Sequence, residues 1–161
     1  MMVISDTSCI GYLIIIDKLQ LLKNNFSEII VPDIVNKKIL QLSSRYNLAK
    51  YLNAEWIKSL SISNTTLYRE LLNQVDEGES EAIVLSKEIN ADLLSVDERK
   101  GTLLARSLGI KTIGLLGVLL LSKEKKIINL AKPILDELIT NTTFRIDKNL
   151  YTNVLKQANE Q

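Results

Sequence analysis

Apolar and polar residues follow one another in short blocks along this chain, and the period of the pattern switches repeatedly between that of a strand and that of a helix. "MVIS" at the start is a short apolar run with the look of a buried strand, and it ends on Asp6. "CIGYLIIIDKLQLLKNN" then places apolar residues at helical spacing. "EIIV" is a second strand, stopped by Pro32, which suits the start of a helix running to about Ser44. "AEWIKSLSI" has strand character, while "NTTLYRELLNQV" and "GESEAIVLSKEIN" read as two helices with capping residues at their N-termini. "DLLSV" is a strand leading to Asp97, "RKGTLLARSLG" a helix stopped by glycine, and "IKTIG" a short strand. The remainder is mainly helical, with a helical extension from about residue 131.

Strand and helix alternating in this way predict an α/β sandwich with a largely parallel sheet, a fold whose ligands bind outside the carboxyl ends of the strands. No Pro/Gly/Ser-rich linker, internal repeat or low-complexity tract interrupts the pattern, so residues 1–161 are expected to form a single domain. The composition agrees: 161 residues with 46% hydrophobic and 24% charged content are enough for a sizeable core. The longest apolar stretch, "IGLLGVLLLS", is well short of the roughly 20 residues that span a bilayer. No membrane span is expected. The N-terminus lacks the basic flank and small-residue cleavage site of a secretory signal, so a cytoplasmic location is the expectation.

The absence of histidine narrows the chemistry sharply, because it removes Ser-His-Asp triads, Cys-His pairs and zinc-histidine sites together. A single cysteine, Cys9, forms no intramolecular disulfide and suits a small buried hydrophobe. Neither a GxxxxGK[ST] loop nor a GxGxxG fingerprint is present. The net charge of +1 neither demands a nucleic-acid partner nor excludes one. Carboxylates, hydroxyls and amines are what remains.

Asp6 and Asp97 both stand where strands emerge at the carboxyl edge of the expected sheet. A third acidic group comes from "DEGESEAI", where Asp76, Glu77, Glu79 and Glu81 crowd the beginning of a helix. Acids there favour the helix dipole whatever else they do. Helical phase sets Glu81, one turn before Leu85, on the buried side, with Asp76 and Glu77 solvated. Several carboxylates in a partly buried cleft repel one another unless a cation joins them. Magnesium or manganese takes oxygen ligands and keeps waters, so Asp6, Glu81 and Asp97 make a plausible metal set.

In this arrangement the chain resembles the PIN-domain ribonucleases, especially the VapC-like toxins of toxin–antitoxin modules. The resemblance is carried by the ordered series "ISDTSCIGYL", "IIVPDIV", "DEGESEAIVLSKE", "ADLLSVDERKGTLLARSLGI", "IGLLGVLLLSKEKKII" and "FRIDKNLYTNVLKQ". It implies a PIN-like α/β/α sandwich and an acidic cluster binding Mg²⁺ or Mn²⁺ for RNA cleavage. Asp6, Glu81 and Asp97 would be catalytic and metal-holding, with Thr7, Ser8 and Glu79 in support. Water would attack phosphorus in line, leaving a 5′-phosphate and a 3′-hydroxyl. A small antitoxin covering the site and a homodimer belong to the same implication.

One position departs from that family. A second acid is expected a turn or two into the helix after "VP", where this chain reads "VPDIVNKKIL" and puts Lys37 and Lys38. Asp33 is the nearest carboxylate, roughly 140° around the helix from Lys38. Three readings of Lys38 stay open: part of an ordinary solvated face, a partner of Asp6 or Asp97, or a contact for substrate phosphate. Lys38, Arg99 and Lys100 are candidate RNA contacts, Arg99 standing next but one to Asp97; Lys123, Lys125 and Lys126 read first as a solvated helix end. The aromatic residues are scattered, which argues against a base-stacking platform. A metal-dependent endoribonuclease therefore leads. Its alternatives are a catalytically impaired scaffold that binds RNA or a protein partner and, more distantly, an aspartyl-phosphate domain with Asp6 as nucleophile.

Overall fold

The computed structural model describes residues 1–161. Five strands, β1 (Val3–Ser5), β2 (Ile29–Pro32), β3 (Ile57–Leu60), β4 (Leu93–Ser95) and β5 (Thr112–Ile113), form one sheet in the order β3-β2-β1-β4-β5. Every pairing is parallel. The helices are α1 (Thr7–Ile15), α2 (Gln20–Phe26), α3 (Asp33–Leu40), α4 (Ala49–Leu52), α5 (Thr65–Leu71), α6 (Glu77–Glu88), α7 (Arg99–Ser107), α8 (Leu115–Glu124), α9 (Lys132–Asn141) and α10 (Lys148–Gln157). No helix is long and apolar enough to cross a membrane.

Strands buried on both faces read as continuous apolar runs, and their side chains still divide by the period of two. Val3, Ile29 and Val31 join one hydrophobic cluster, with Cys9, Ile10 and Leu13 of α1 and Leu115, Val118 and Leu119 of α8. Ile4, Ile30 and Leu94 join a second cluster, with Ala82, Ile83 and Leu85 of α6 and Ala105 of α7. These two clusters are the layers of the sandwich. The segment beyond residue 131 is part of the first: Ile134, Leu135 and Leu138 of α9 and Val154 and Leu155 of α10 pack into it. Glu160 fastens the chain end there, its carboxylate accepting the N–H groups of Ala131 (2.8 Å) and Lys132 (3.0 Å) and a bond from Lys123 (3.2 Å).

Local structure departs from the sequence pattern in three places. The helix expected through "CIGYLIIIDKLQLLKNN" is two helices, broken where Asp17 takes a left-handed conformation (φ 57°) and binds Lys50 at 2.7 Å. The helix after Pro32 ends its α geometry at Leu40 and tightens into a 3₁₀ turn over Gln41–Ser44. The short helix α4 was not foreseen; tertiary burial of Leu48 and Tyr51 holds it in place.

Topology makes the crevice. From β1 the chain winds outward through β2 to β3, and the later strands β4 and β5 lie on the opposite side of β1. The connections after β1 and β4 therefore diverge, opening a cleft at the carboxyl edge between those strands. Asp6 follows β1 and Asp97 lies just beyond β4; the Asp6 N–H donates to Ser95 O at 3.0 Å and closes the seam between them.

Candidate functional site

Asp6 ends β1 with an extended backbone and serves as the N-cap of α1, its Oδ1 accepting the Ser8 N–H at 3.1 Å. Aspartate is among the best residues for that post, since it satisfies a donor the helix cannot. The cost is burial: Asp6 is only 3% exposed. Burial first, then the charges of Asp97 and Glu79, hold its carboxyl well above the usual carboxylate range.

Asp97 performs a similar service for α8. Its Oδ1 accepts the Leu115 N–H at 2.8 Å, while Oδ2 is buried with no hydrogen-bond partner. Burial raises its carboxyl, and the Leu115 N–H partly offsets the rise. The approach is close because residue 114 is glycine: a Cβ there would lie 2.9 Å from Asp97 Oδ1.

The acid turned toward this pair from α6 is Glu79. It is 8% exposed and forms a capping box with Asp76, donating its N–H to Asp76 Oδ1 (2.8 Å) and accepting the Asp76 N–H at Oε2 (3.3 Å). Gly101 makes room for it, since a Cβ there would stand 3.2 Å from the Glu79 carboxyl carbon. Burial and Asp76 push the Glu79 carboxyl up, and Lys38 pulls it down.

Glu81 is placed differently from the expectation. It is buried, at 5% exposure, but against α3, where its Oε1 accepts the Ile34 N–H at 2.9 Å. The charges acting on it are those of Asp33 and Glu77, and not those of Asp6 or Asp97. Helical phase accounts for the outcome: residues two apart on a helix point about 160° away from each other, so Glu79 and Glu81 face different neighbours. The structure thus groups Asp6, Asp97 and Glu79, and gives Glu81 to the α3–α6 seam.

Lys37 is exposed, whereas the Lys38 side chain is only 31% exposed and reaches inward. Its Nζ lies 4.0 Å from Asp76 Oδ1. A Cβ on Gly78 would stand 3.3 Å from that Nζ and 3.6 Å from Thr7 Oγ1, so the ammonium and the threonine hydroxyl flank the same small gap beside Asp6. The ion-pair partner is Asp76 rather than Asp6 or Asp97. Asp33 takes no part, accepting hydrogen bonds from Ser59 Oγ of β3 (3.1 Å) and from Ser61 Oγ just beyond that strand (2.5 Å).

Two grooves share Glu98 as a lining residue, one reaching Glu79 and the other Asp97. One, of about 350 Å³, is lined by Asp76, Glu79, Glu98 and Lys100 among others. The second, of about 460 Å³, is lined by Ser8, Asp97, Glu98, Tyr12, Phe144 and Arg145 among others. Arg99 and Lys100 open α7 on the exposed rim. Tyr12 and Phe144 are a pair that the sequence reading missed: they are far apart in the chain, yet their rings meet edge to face with centroids 5.6 Å apart. Arg145 beside them donates from Nη1 to the carbonyls of Ile139, Thr142 and Phe144. Phe144 and Arg145 stand in "FRIDKNLYTNVLKQ" and Tyr12 in "ISDTSCIGYL", segments that carry the family resemblance without indicating this contact. Cys9, fully buried, has its thiol pushed up by burial and acts as a core residue.

No three acidic, histidine or cysteine side chains stand close enough together to form a ready cage for a metal. The donors nonetheless fit a hydrated Mg²⁺ or Mn²⁺, which needs one or two carboxylates and otherwise keeps waters or takes phosphate oxygens. The buried, unpartnered Oδ2 of Asp97 is the observation behind that fit. Asp6 and Asp97 would hold the ion, with Glu79 at its edge.

Comparison with known proteins agrees with this architecture. Among solved structures, the fold is similar to a PilT N-terminus domain protein from the hyperthermophilic archaeon Sulfolobus solfataricus P2, with a TM-score of 0.52 and 18% sequence identity over 73% of this chain and 90% of that chain. No curated protein matches the chain. The DUF3368 family model, a PIN domain, matches residues 2–160. With nearly its whole length matched and with Asp6 and Asp97 at the switch point of a parallel sheet, the chain belongs to the PIN-domain family, whose members are typically nucleases.

Proposed function

We propose that this protein is a divalent-cation-dependent endoribonuclease whose centre is built on Asp6 and Asp97. The observation that carries the reading is the Asp97 carboxylate, held by Leu115 through one oxygen and left buried and unpartnered at the other, beside a second buried aspartate. Two such groups repel each other unless protons or a cation neutralise them. A bound Mg²⁺ or Mn²⁺ supplies an activated water and relieves charge on the phosphoryl oxygens. The chain's residues supply position: Ser8 N–H fixes Asp6, Leu115 N–H fixes Asp97, and the two grooves receive the strand on either side. Water adds to phosphorus as the 3′ oxygen departs and takes a proton from solvent, giving a 5′-phosphate and a 3′-hydroxyl.

The toxin role within a toxin–antitoxin module, with a small antitoxin over the cleft and a homodimer as the working form, is the finer part of this proposal. It is supported by the resemblance of the motif series to VapC-like toxins. A second reading, a PIN scaffold that binds RNA or a protein without cutting, is favoured by the lack of three converging acids and by Lys38 beside Asp76 and Glu79.

Incubating purified protein with a mixed RNA pool in Mg²⁺, Mn²⁺ or EDTA separates the two. Cutting that needs the metal and is lost in Asp6→Asn supports the nuclease. Uncut RNA in every metal condition, with activity gained in Lys38→Glu, supports the scaffold.

A further inference from the structure

The Lys38 ammonium is an unusual element of this crevice. It is more than half buried, yet none of its hydrogens is donated to an acceptor within hydrogen-bond range, and its one ion-pair contact, Asp76 Oδ1, is at the 4.0 Å limit. Lysine is seldom buried without a partner. Its place is nevertheless imposed by packing. Val35 and Ile39, both fully buried, seat α3 against the core, and Glu81 pins the first turn through Ile34. Lys38 therefore projects past Gly78, whose missing side chain leaves the space, toward the hydroxyl of Thr7, the residue after Asp6.

An RNA strand entering here meets Asp6, Asp76, Glu79, Asp97 and Glu98. A polyanion needs a compensating positive charge in the same place, and Arg99 and Lys100 lie on the exposed rim. We propose that Lys38 Nζ, with Thr7 Oγ1 beside it, is a phosphate contact of the substrate RNA, a fixed cation inside the crevice that receives a phosphate next to Asp6. The proposal rests on the RNA-cleaving reading for its substrate, and it concerns binding rather than the chemical step. The ammonium exchanges its long contact with Asp76 for short bonds to phosphate oxygens, and Gly78 leaves room for them. A phosphate contact positions the strand without reading its sequence.

The test measures affinity where no cleavage occurs. Binding of a fluorescent single-stranded RNA is followed by anisotropy in EDTA, across a salt series, for the wild type, Lys38→Gln, Lys38→Arg and Lys37→Gln. One lost phosphate contact on a single strand lowers the slope of log K against log salt by about 0.7, and weakens binding about fivefold in 0.1 M salt. Lys38→Gln is expected to show both changes, and Lys38→Arg to restore them. Lys37→Gln loses the same charge one residue away on the exposed face and is expected to stay within about twofold of wild type. Equal affinity and slope for Lys38→Gln and wild type overturn the proposal, as does an equal loss in Lys37→Gln. If Lys38→Gln keeps affinity and slope while metal-dependent cutting still requires Asp6, this proposal fails and the nuclease stands. If the Lys38 effects appear in a protein that never cuts, the phosphate contact stands and the nuclease fails. Absence of RNA binding by the wild type overturns the proposal outright.

Discussion

Glu81 Oε1 accepts the backbone N–H of Ile34 at 2.9 Å, joining the acidic helix α6 to the first turn of α3. A carboxylate in this post satisfies a donor that the start of α3 leaves open, and it orients the helix that carries Lys38. Charge-assisted bonds of this kind contribute about 1.5–3 kcal/mol. Glu81→Ala is therefore expected to lower unfolding stability by about that amount, as read by urea denaturation, while keeping metal-dependent RNA cleavage. A variant that unfolds like wild type yet has lost cleavage would return Glu81 to the metal centre.

Asp6→Asn separates function from stability in the opposite sense. Asparagine caps helices as well as aspartate does, so α1 keeps its start. Without a metal, Asp6 carries a carboxyl raised by burial and by its neighbours Asp97 and Glu79, and the amide removes that burden. The variant is expected to melt at a higher temperature than wild type in EDTA at pH 7. It should lose cleavage by more than the roughly 10- to 100-fold seen when a partner behind a metal ligand is removed. Lower stability of Asp6→Asn under those conditions would contradict the repulsion described here.

The same shifts set a pH dependence for the metal-free protein. Asp6, Asp97, Glu79 and Glu81 all have carboxyls raised chiefly by burial. Between the ordinary carboxylate pKa of about 4 and these raised values, the folded state holds more protons than the unfolded chain. Their contribution to stability is thus complete below that window and lost as pH rises through the raised values. In EDTA the denaturation midpoint is expected to fall from about pH 4 toward neutrality, and Mg²⁺ or Mn²⁺ to restore it at pH 7. Asp97→Asn should flatten the slope; an unchanged slope would place the burden elsewhere.

Gly114 is a tight constraint on the centre. A Cβ there would stand 2.9 Å from Asp97 Oδ1 and would force the carboxylate off the Leu115 N–H. Gly114→Ala is expected to cost about 1–3 kcal/mol of stability, the range for a displaced buried hydrogen bond, and to weaken Mn²⁺ binding in a titration. Unaltered Mn²⁺ affinity would show that Asp97 reaches the ion from another position.

Much of this molecule was legible along the chain. Short strands with apolar runs, helices between them and Gly109 (φ 80°) closing α7 all followed from local periodicity and glycine's conformational freedom, which act within a few residues. Asp6 and Asp97 could be placed at strand ends for the same reason, and their nearness follows from β1 pairing with β4. The break at Asp17 could not be read, because an unbroken apolar period conceals a left-handed residue bound by Lys50 of the distant helix α4.

Sequence by itself determined the exclusion of histidine chemistry, the parallel α/β class and the position of two aspartates at strand ends, because each depends on residue type and on periods of two or 3.6. Tertiary structure decided which neighbouring acid faces the crevice and where Lys38 points. Glu79 and Glu81 are both buried glutamates, and only the packing of α6 across the sheet face and against α3 turns the first toward Asp6 and the second toward Ile34. Lys37 and Lys38 differ in the same way: the burial of Val35 and Ile39 sets the rotation of α3, and that rotation leaves one lysine in solvent and brings the other beside Gly78. Side-chain direction on a helix is set by what its apolar face packs against, and that partner is far away in the chain.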